Sequence, residues 1–334
     1  MEIEFNVYAI VLTWNNFSDL INCINSLRNL NNEKLKILIV DNGSKFKIID
    51  KIEKFLKNEF KIKLSIIDES NVGKCMPNDV TLIKLSNNYG FSVGNNYGLR
   101  CALKDEKSKY YWILNDDTEV DKDSLNYLLE KMEHDKSIGI CGTRLVYFND
   151  KKKIQAYGGG KYNKFFATTK LIGNMNINDE NINNEIIEKN VDFIIGASMF
   201  VRREYIMEIG LFYEDLFIYF EDVDWSIRRR NKFKLGYSHE SIVYHKEGAT
   251  IGGKITKSDS KTLFSDYFYL RNKLLITKKH YFYLYPFVLF FSMGISIVLR
   301  LKRKQFRRVY LIFKIIYYSL FKNDKIFIRT DEVK

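Results

Sequence analysis

Short apolar runs alternate with amphipathic stretches through the first 134 positions of the chain. "NVYAIVLTW" has the character of a buried strand ending near Thr13, and "FSDLINCINSLRNL" follows as a helix with Leu20, Ile24 and Leu27 on one face. "KLKILIVDNGS" predicts a second strand closing in a turn, "IIDKIEKFLKNEF" a helix, and "KIKLSIID" and "VTLIKL" two further strands. "FSVGNNYGLRCALKD" reads as a helix, "YYWIL" as a fifth strand, and residues 123–134 as another helix. Strands alternating with helices of roughly 10–15 residues predict parallel βαβ units in a doubly wound α/β sheet. Such sheets bind ligands outside the carboxyl ends of their strands. Thr13, Asp41, Leu85 and Asn115 stand at or just past such ends, so their neighbours should line one crevice.

The pattern changes near residue 140. "YGGGKYNKFF" and the Asn-rich "GNMNINDENINNEIIEKN" predict loops or a surface insertion, and "DESNVGKCMPNDV" at 68–80 predicts a loop before the fourth strand. A structured block resumes at "VDFIIGASMFVRREYIMEIGLF" and runs to about residue 253.

Residues 281–299, "YFYLYPFVLFFSMGISIVL", form 19 positions without a charge. A helix of that length covers about 28 Å, barely a hydrocarbon core. Basic residues flank both ends, against the usual charge asymmetry of a single span. A second apolar stretch at 309–321 is too short to cross. The preferred reading is a helical pair lying on, or re-entering, one leaflet. A true span and a soluble docking face are the alternatives.

Charge sharpens that picture. The chain of 334 residues carries a net +12, but the segment from Lys278 onward holds 13 Lys/Arg against 3 Asp/Glu and so accounts for +10 of it. Basicity that coincides with the apolar runs points to an anionic lipid surface rather than to nucleic acid. The expected organisation is a main domain over 1–277, with halves 1–120 and 121–277, and a basic, hydrophobic helical extension over 278–334. With 46% hydrophobic residues the chain can build a sizeable core. Its four cysteines (Cys23, Cys75, Cys101, Cys141) show no CxxC spacing, which predicts reduced thiols. Acidic residues in "MEIEFNVY" predict no secretory leader.

Three constellations could carry chemistry. Asn115-Asp116-Asp117 follows the "YYWIL" strand, and two hard carboxylates there suit Mg²⁺ or Mn²⁺ with a substrate phosphate. The same triplet would also serve as a capping loop before "DKDSLNYLLE". "NNYGFSVGNNYG" at 87–98 has glycines that let backbone approach a ligand, and a helix starting near Gly94 would offer N–H groups to an anion. Plain turn chemistry explains it equally well. Glu221, Asp222 and Asp224 crowd the start of a helix, as capping acids would, with Arg228 an i,i+4 partner for Asp224. The aromatic run before them sets Asp222 against an apolar wall that could tune a general base. His245 ends the strand "SIVYH", as a structural residue or a metal ligand.

In order, "TWNN", "VDNGS", "NNYGFSVGNN", "LNDDTEV", "GASMFVRRE", "GLFYEDLFIYFEDVDWSIRRR", "VYHKEGAT" and "YFYLRNK" resemble the family 2 glycosyltransferases of GT-A fold, in particular the bacterial rhamnosyltransferase-like branch. The resemblance runs from residue 7 to about 275. It implies a Rossmann-like, mostly parallel sheet flanked by helices, and inverting transfer of a sugar from a dTDP-, UDP- or GDP-linked donor. It also implies a Mn²⁺ or Mg²⁺ ion; with the basic apolar tail, the expectation is a saccharide or lipid-linked acceptor at the cytoplasmic face of the cell membrane, in cell-surface polysaccharide synthesis. L-rhamnose is the first sugar it suggests.

By the same resemblance, Thr13 and Asn15 match the first nucleotide-contacting loop, and Asp41 the acid that contacts nucleobase and ribose. Asn88, Gly90, Gly94 and Asn95 match the completion of the nucleotide-diphosphate pocket. Asn115 and Asp116 belong to the DXD-type triplet, with Asp117 as direct metal ligand and His245 completing the metal site. Asp222 matches the general base, with Glu221 orienting it or the acceptor. The triplet departs from a strict Asp-X-Asp. Three rival readings compete with this one: a catalytically inactive membrane-surface binding protein of the same fold, a dinucleotide oxidoreductase, and a nucleic-acid binder. The second lacks GxGxxG after its first strand.

Overall fold

The computed structural model describes residues 5–30, 32–74, 76–178, 182–246 and 262–322. Cys75, residues 247–250 of "VYHKEGAT" and the tail beyond 322 lie outside the described residues.

The first half follows the alternation of its sequence. β1 (Asn6–Thr13), α1 (Phe17–Arg28), β2 (Leu35–Asp41), α2 (Phe46–Phe60), β3 (Leu64–Asp68), β4 (Val80–Lys84), α3 (Gly90–Ala102) and β5 (Ser108–Asn115) appear in that order. Val7, Ala9 and Val11 of β1 pack with Leu20, Ile24 and Ile52 on one face of the sheet, while Tyr8 and Ile10 pack with Leu99 and Ala102 on the other. Burial on both faces is why these strands read as continuous apolar runs. Asn16 caps α1 by accepting from the Asp19 N–H.

Beyond β5 come β6 (Thr118–Val120), α4 (Ser124–His134), β7 (Ile138–Tyr147), β8 (Ile154–Tyr157), β9 (Gly159–Asn163), β10 (Thr168–Leu171), α5 (Asn184–Asn190), β11 (Phe193–Ile194), β12 (Ser198–Arg202), α6 (Arg203–Ile209), α7 (Glu221–Arg228) and β13 (Lys234–His245). The main sheet has ten strands in the order β3-β4-β2-β1-β5-β12-β7-β13-β6, with β8 beside β7. It is the mostly parallel α/β sheet expected; β12 runs antiparallel to both β5 and β7, and β6 antiparallel to β13. Three buried cysteines, Cys23, Cys101 and Cys141, are free thiols.

The expected loops differ. "YGGGKYNKFF" forms β9 and the turn into β10, in a separate sheet of order β10-β9-β11. Its glycines allow this, because a Cβ on Gly159 would strike the Phe193 carbonyl. The Asn-rich stretch ends in α5, capped by Asn183 and held by buried Ile187, and too short to show a helical period. α3 begins at Gly90, a turn earlier than expected.

The C-terminal part opens with α8 (Leu263–His280). It continues through an apolar helical run, Phe282–Lys302, that contains α9 (Tyr285–Phe287) and α10 (Met293–Lys302), and it closes with α11 (Phe306–Phe321). Asp266 of α8, nearly buried, receives Arg300 at 3.0 Å and Arg308 at 2.6 Å and so pins the last two helices to the first.

Candidate active site

Strand register assembles the crest of the sheet. Thr13 lies opposite Asp41, Leu12 opposite Asn115, and His245 opposite Thr118. Residues far apart in sequence therefore end side by side. Thr13 Oγ1 donates to Asp116 Oδ2 at 2.7 Å, inside the protein. Burial, and after it the charge of Asp117, pushes the Asp116 carboxyl up to about 7, with Thr13 and Asn16 pulling the other way. The Asp116 and Asp117 carboxyls thus disfavour each other's charge.

Beside them, His245 Nε2 lies 3.1 Å from Asp117 Oδ1. Its Nδ1 is 2.8 Å from Gln155 Oε1, and Asn115 Nδ2 approaches Nε2 at 3.4 Å. An amide oxygen can only accept, so Nδ1 carries the proton. Nε2 then faces the Asp117 carboxylate and the Asn115 amide: protonated it pairs with the carboxylate, and unprotonated it leaves a lone pair beside a carboxylate oxygen. A hard oxygen with an imidazole nitrogen is a donor set that suits Mn²⁺ or Mg²⁺. Among the described residues no three His, Cys, Asp or Glu side chains already surround one metal point, so diphosphate or water oxygens must complete any shell.

Asp41 is buried, accepts from the Ser44 N–H at 3.1 Å, and leaves Oδ1 without a hydrogen bond of good geometry. Burial raises its pKa. Asn15, at φ +56°, stitches the first crest loop to the second: its N–H donates to Ser44 Oγ, and its Oδ1 accepts from the Lys45 N–H.

The "NNYGFSVGNN" residues make contacts of their own within the protein. Asn88 Oδ1 accepts from the Gly90 N–H and from Asn42 Nδ2, and the Phe91 N–H donates to the Phe217 carbonyl. The leading N–H groups of α3 are therefore spent within the protein. Gly90, at φ +85°, lets Phe217 approach, and Gly94 lies where a Cβ would strike Leu12 of β1. Asn95 is buried, donates to the Phe91 carbonyl at 3.0 Å, and leaves Oδ1 unbonded. The segment chiefly anchors the 216–220 loop, with Asn42 as a partner that the sequence did not suggest.

That loop aims the acids of α7. Tyr219 (φ 71°) and Phe220 (φ 70°) sit in the left-handed region, a costly conformation for aromatic residues. Asn272 of α8 holds it, its Nδ2 donating to the carbonyls of Ile218 (2.8 Å) and Tyr219 (2.9 Å). Glu221 follows, buried, with Oε2 unbonded. Burial and the neighbouring Asp222 hold its pKa well above the usual carboxylate range. Asp222 is raised too, by burial, against the Val223 and Gly196 N–H groups that favour its charged form. Gly196 is next to Ala197, whose carbonyl accepts from the Asn115 N–H at 3.2 Å. Two residues of backbone thus join Asp222 to the Asn115-Asp116-Asp117 triplet.

Asp224 pairs with Arg228 at 2.8 Å as expected, and also with Lys279 (2.9 Å) and His280 (2.7 Å) from the end of α8. Burial alone would raise its pKa, but the His280 hydrogen bond and the charges of Arg228 and Lys279 hold it below the ordinary value.

The model of the family described as "Glycosyl transferase family 2" matches residues 8–210. A curated relative is the low-salt glycan biosynthesis hexosyltransferase Agl10 of Haloferax volcanii, 23% identical over 176 residues, covering 51% of this chain and 54% of that protein. The chain therefore spans about half the length of the curated relative it matches. Solved structures share the fold. GalNAc-T7 with UDP, GalNAc and Mn²⁺ gives TM-score 0.56 at 16% identity over 82% of this chain and 51% of that one. S. aureus TarS 1–349 with UDP-GlcNAc gives 0.53 at 15% over 94% and 81%. The mannosyltransferase PcManGT of Pyrobaculum calidifontis with GDP-Man and Mn²⁺ gives 0.53 at 10% over 95% and 87%.

Proposed function

Because the chain belongs to glycosyl transferase family 2, we propose that it moves a sugar from a nucleotide-diphosphate sugar to a saccharide acceptor in one inverting displacement. Thr13, Asn15 and Asp41 bind the nucleoside, Asp41 Oδ1, which has no hydrogen bond of good geometry within the protein, being suited to a ribose or base donor. Asn88, Gly90, Gly94 and Asn95 support the diphosphate side of the pocket from behind. Asp117 and His245 hold the divalent cation, with Asn115 and Asp116 beside them. Bound there, Mn²⁺ or Mg²⁺ offsets the charge that grows on the leaving diphosphate. Structures of the same fold carry Mn²⁺ with UDP or GDP-mannose, which supports this reading.

The acceptor hydroxyl loses its proton to Asp222 as it attacks. A raised pKa suits that base, because the proton must be held at the end of the step. Glu221 orients the acceptor or the base. The observation that carries the proposal is the backbone link from Asp222 through Gly196 and Ala197 to Asn115. It supports a reading in which the proton acceptor and the carboxylates of the Asn115–Asp117 triplet share one crest.

The acceptor is lipid-linked in this reading, and the C-terminal helices dock the enzyme on the cytoplasmic leaflet. The apolar run Phe282–Lys302, with only 28% of its most apolar window buried, supports that placement. L-rhamnose from its dTDP donor is the first sugar to test. Incubation with dTDP-, UDP- and GDP-sugars and Mn²⁺ tests the whole; neither hydrolysis nor transfer from any of them would defeat it.

A further inference from the structure

The outward sides of the two last helices are apolar at helical spacing. Phe290, Phe291, Ile295, Val298 and Leu299 are exposed on one, and Phe306, Tyr310, Phe313, Tyr317 and Phe321 on the other. Their inward sides, with Val288, Met293, Ile312 and Ile315, pack against α8. A third segment joins them. At the β9–β10 turn, Phe165 (48% exposed) and Phe166 (41%) stand edge-on to Phe287 at 6.4 and 5.9 Å. Ser292 Oγ donates to the Phe166 carbonyl at 2.9 Å. Ala167, wholly buried, belongs to the same apolar cluster as Val288 and Met293. The hairpin tip is thus fixed to the helix by packing on its inner side while its two phenylalanines stay open to solvent.

Exposed cations border this surface: Lys164 on the hairpin, and Lys302, Lys304 and Arg307 at the helix turn. Aromatic rings edged by basic side chains match the interface of an anionic bilayer, with rings at headgroup depth and cations on phosphates. From Lys164 a line of rings leads inward: it lies over Tyr281, which stacks on Tyr162 at 6.0 Å, which meets Phe220 edge-on at 6.3 Å, next to Glu221.

We infer that residues 164–166 enter an anionic lipid surface together with the outer faces of the two last helices, three segments forming one lipid-facing plane. This rests on the membrane reading above and adds the hairpin to it. The plane then lies at one end of the aromatic path to the base. An acceptor still held in the leaflet can present its headgroup along that path without leaving the bilayer.

Full-length protein carrying Phe165→Trp or Phe291→Trp tests this with vesicles of brominated phosphatidylcholine and phosphatidylglycerol. Both new indoles should shift to the blue and be quenched, and quenching should weaken with salt or when phosphatidylglycerol is omitted. Quenching of Phe291→Trp alone removes the hairpin and leaves the membrane reading standing. Quenching of neither removes both. Phe165→Ser with Phe166→Ser should lower vesicle partitioning on the order of tenfold, whereas Phe46→Ser, exposed on α2, should not change it. A wild-type dimer that becomes monomeric in the double variant, with vesicle binding unchanged, would make a second copy the occupant and overturn the proposal.

Discussion

His245 and Gln155 meet at 2.8 Å, Nδ1 to Oε1, in the interior of the protein. The contact orients the imidazole toward Asp117, the pair proposed above to hold a cation. Gln155→Leu should weaken Mn²⁺ binding by about 10–100-fold, the usual cost of losing such a supporting partner. Gln155→Glu, which keeps an accepting oxygen, should recover much of it. Electron paramagnetic resonance titration of free Mn²⁺ reads both without any turnover. Equal affinity in Gln155→Leu and wild type would show that the ring needs no such hold.

Asp116 makes stability depend on pH. Its folded pKa of about 7 lies above the unfolded value, so the folded state binds the extra proton. That contribution is present below about pH 4 and is lost as pH rises through 7. In EDTA, Asp116→Asn should therefore gain in melting temperature over wild type between pH 5 and 7.5. Saturating Mn²⁺ should shrink the gap. A gap that does not change with pH would refute the account.

Asp222→Asn should lower kcat by about 10²–10⁴-fold with little change in donor KM, as loss of a general base does. Wild-type kcat/KM should fall on the acid side, as protonation fills the raised carboxyl, and the variant should lose that limb. A pH profile unchanged in shape would exclude Asp222 as the base.

Asn272→Ala should leave two carbonyls of the left-handed turn unsupported. The expected cost is about 1–3 kcal/mol in urea unfolding, together with a drop in kcat larger than any change in donor KM. Lost stability with full kcat would make Asn272 a structural residue only.

Asp224→Ala should be the most damaging of these for stability, at about 3–5 kcal/mol, because Arg228 and Lys279 would keep their positive charge beside a buried gap and His280 would lose its partner. Thermal unfolding measures it.

Much of this was readable in the chain. β1, β2, β4 and β5 announced themselves because a strand covered on both faces is apolar throughout, and the crevice followed from their ends. The Asp224–Arg228 pair was legible because its i,i+4 spacing on one helix is local. Gln155, Asn42, Asn272 and the Lys279–His280 pair were not. Each acts on a partner set by register or by packing of α8, information that no local window contains. The β9–β10 hairpin hid behind its glycines, which look like turn residues until a neighbouring strand shows why no Cβ fits. The start of α3 was misjudged because Gly90 seemed free to meet a ligand, whereas the Phe217 carbonyl already fills that space.

His280 reaches Asp224 across 56 positions of sequence. During synthesis the acid-rich helix therefore leaves the ribosome well before its counter-charges exist. Until Lys279 and His280 arrive, burying Asp224 means burying a carboxylate that only Arg228 neutralises, and the segment has reason to wait. A nascent chain stopped short of α8 would hold every proposed catalytic residue and still lack the Asn272, Lys279 and His280 side chains that hold the 216–224 segment.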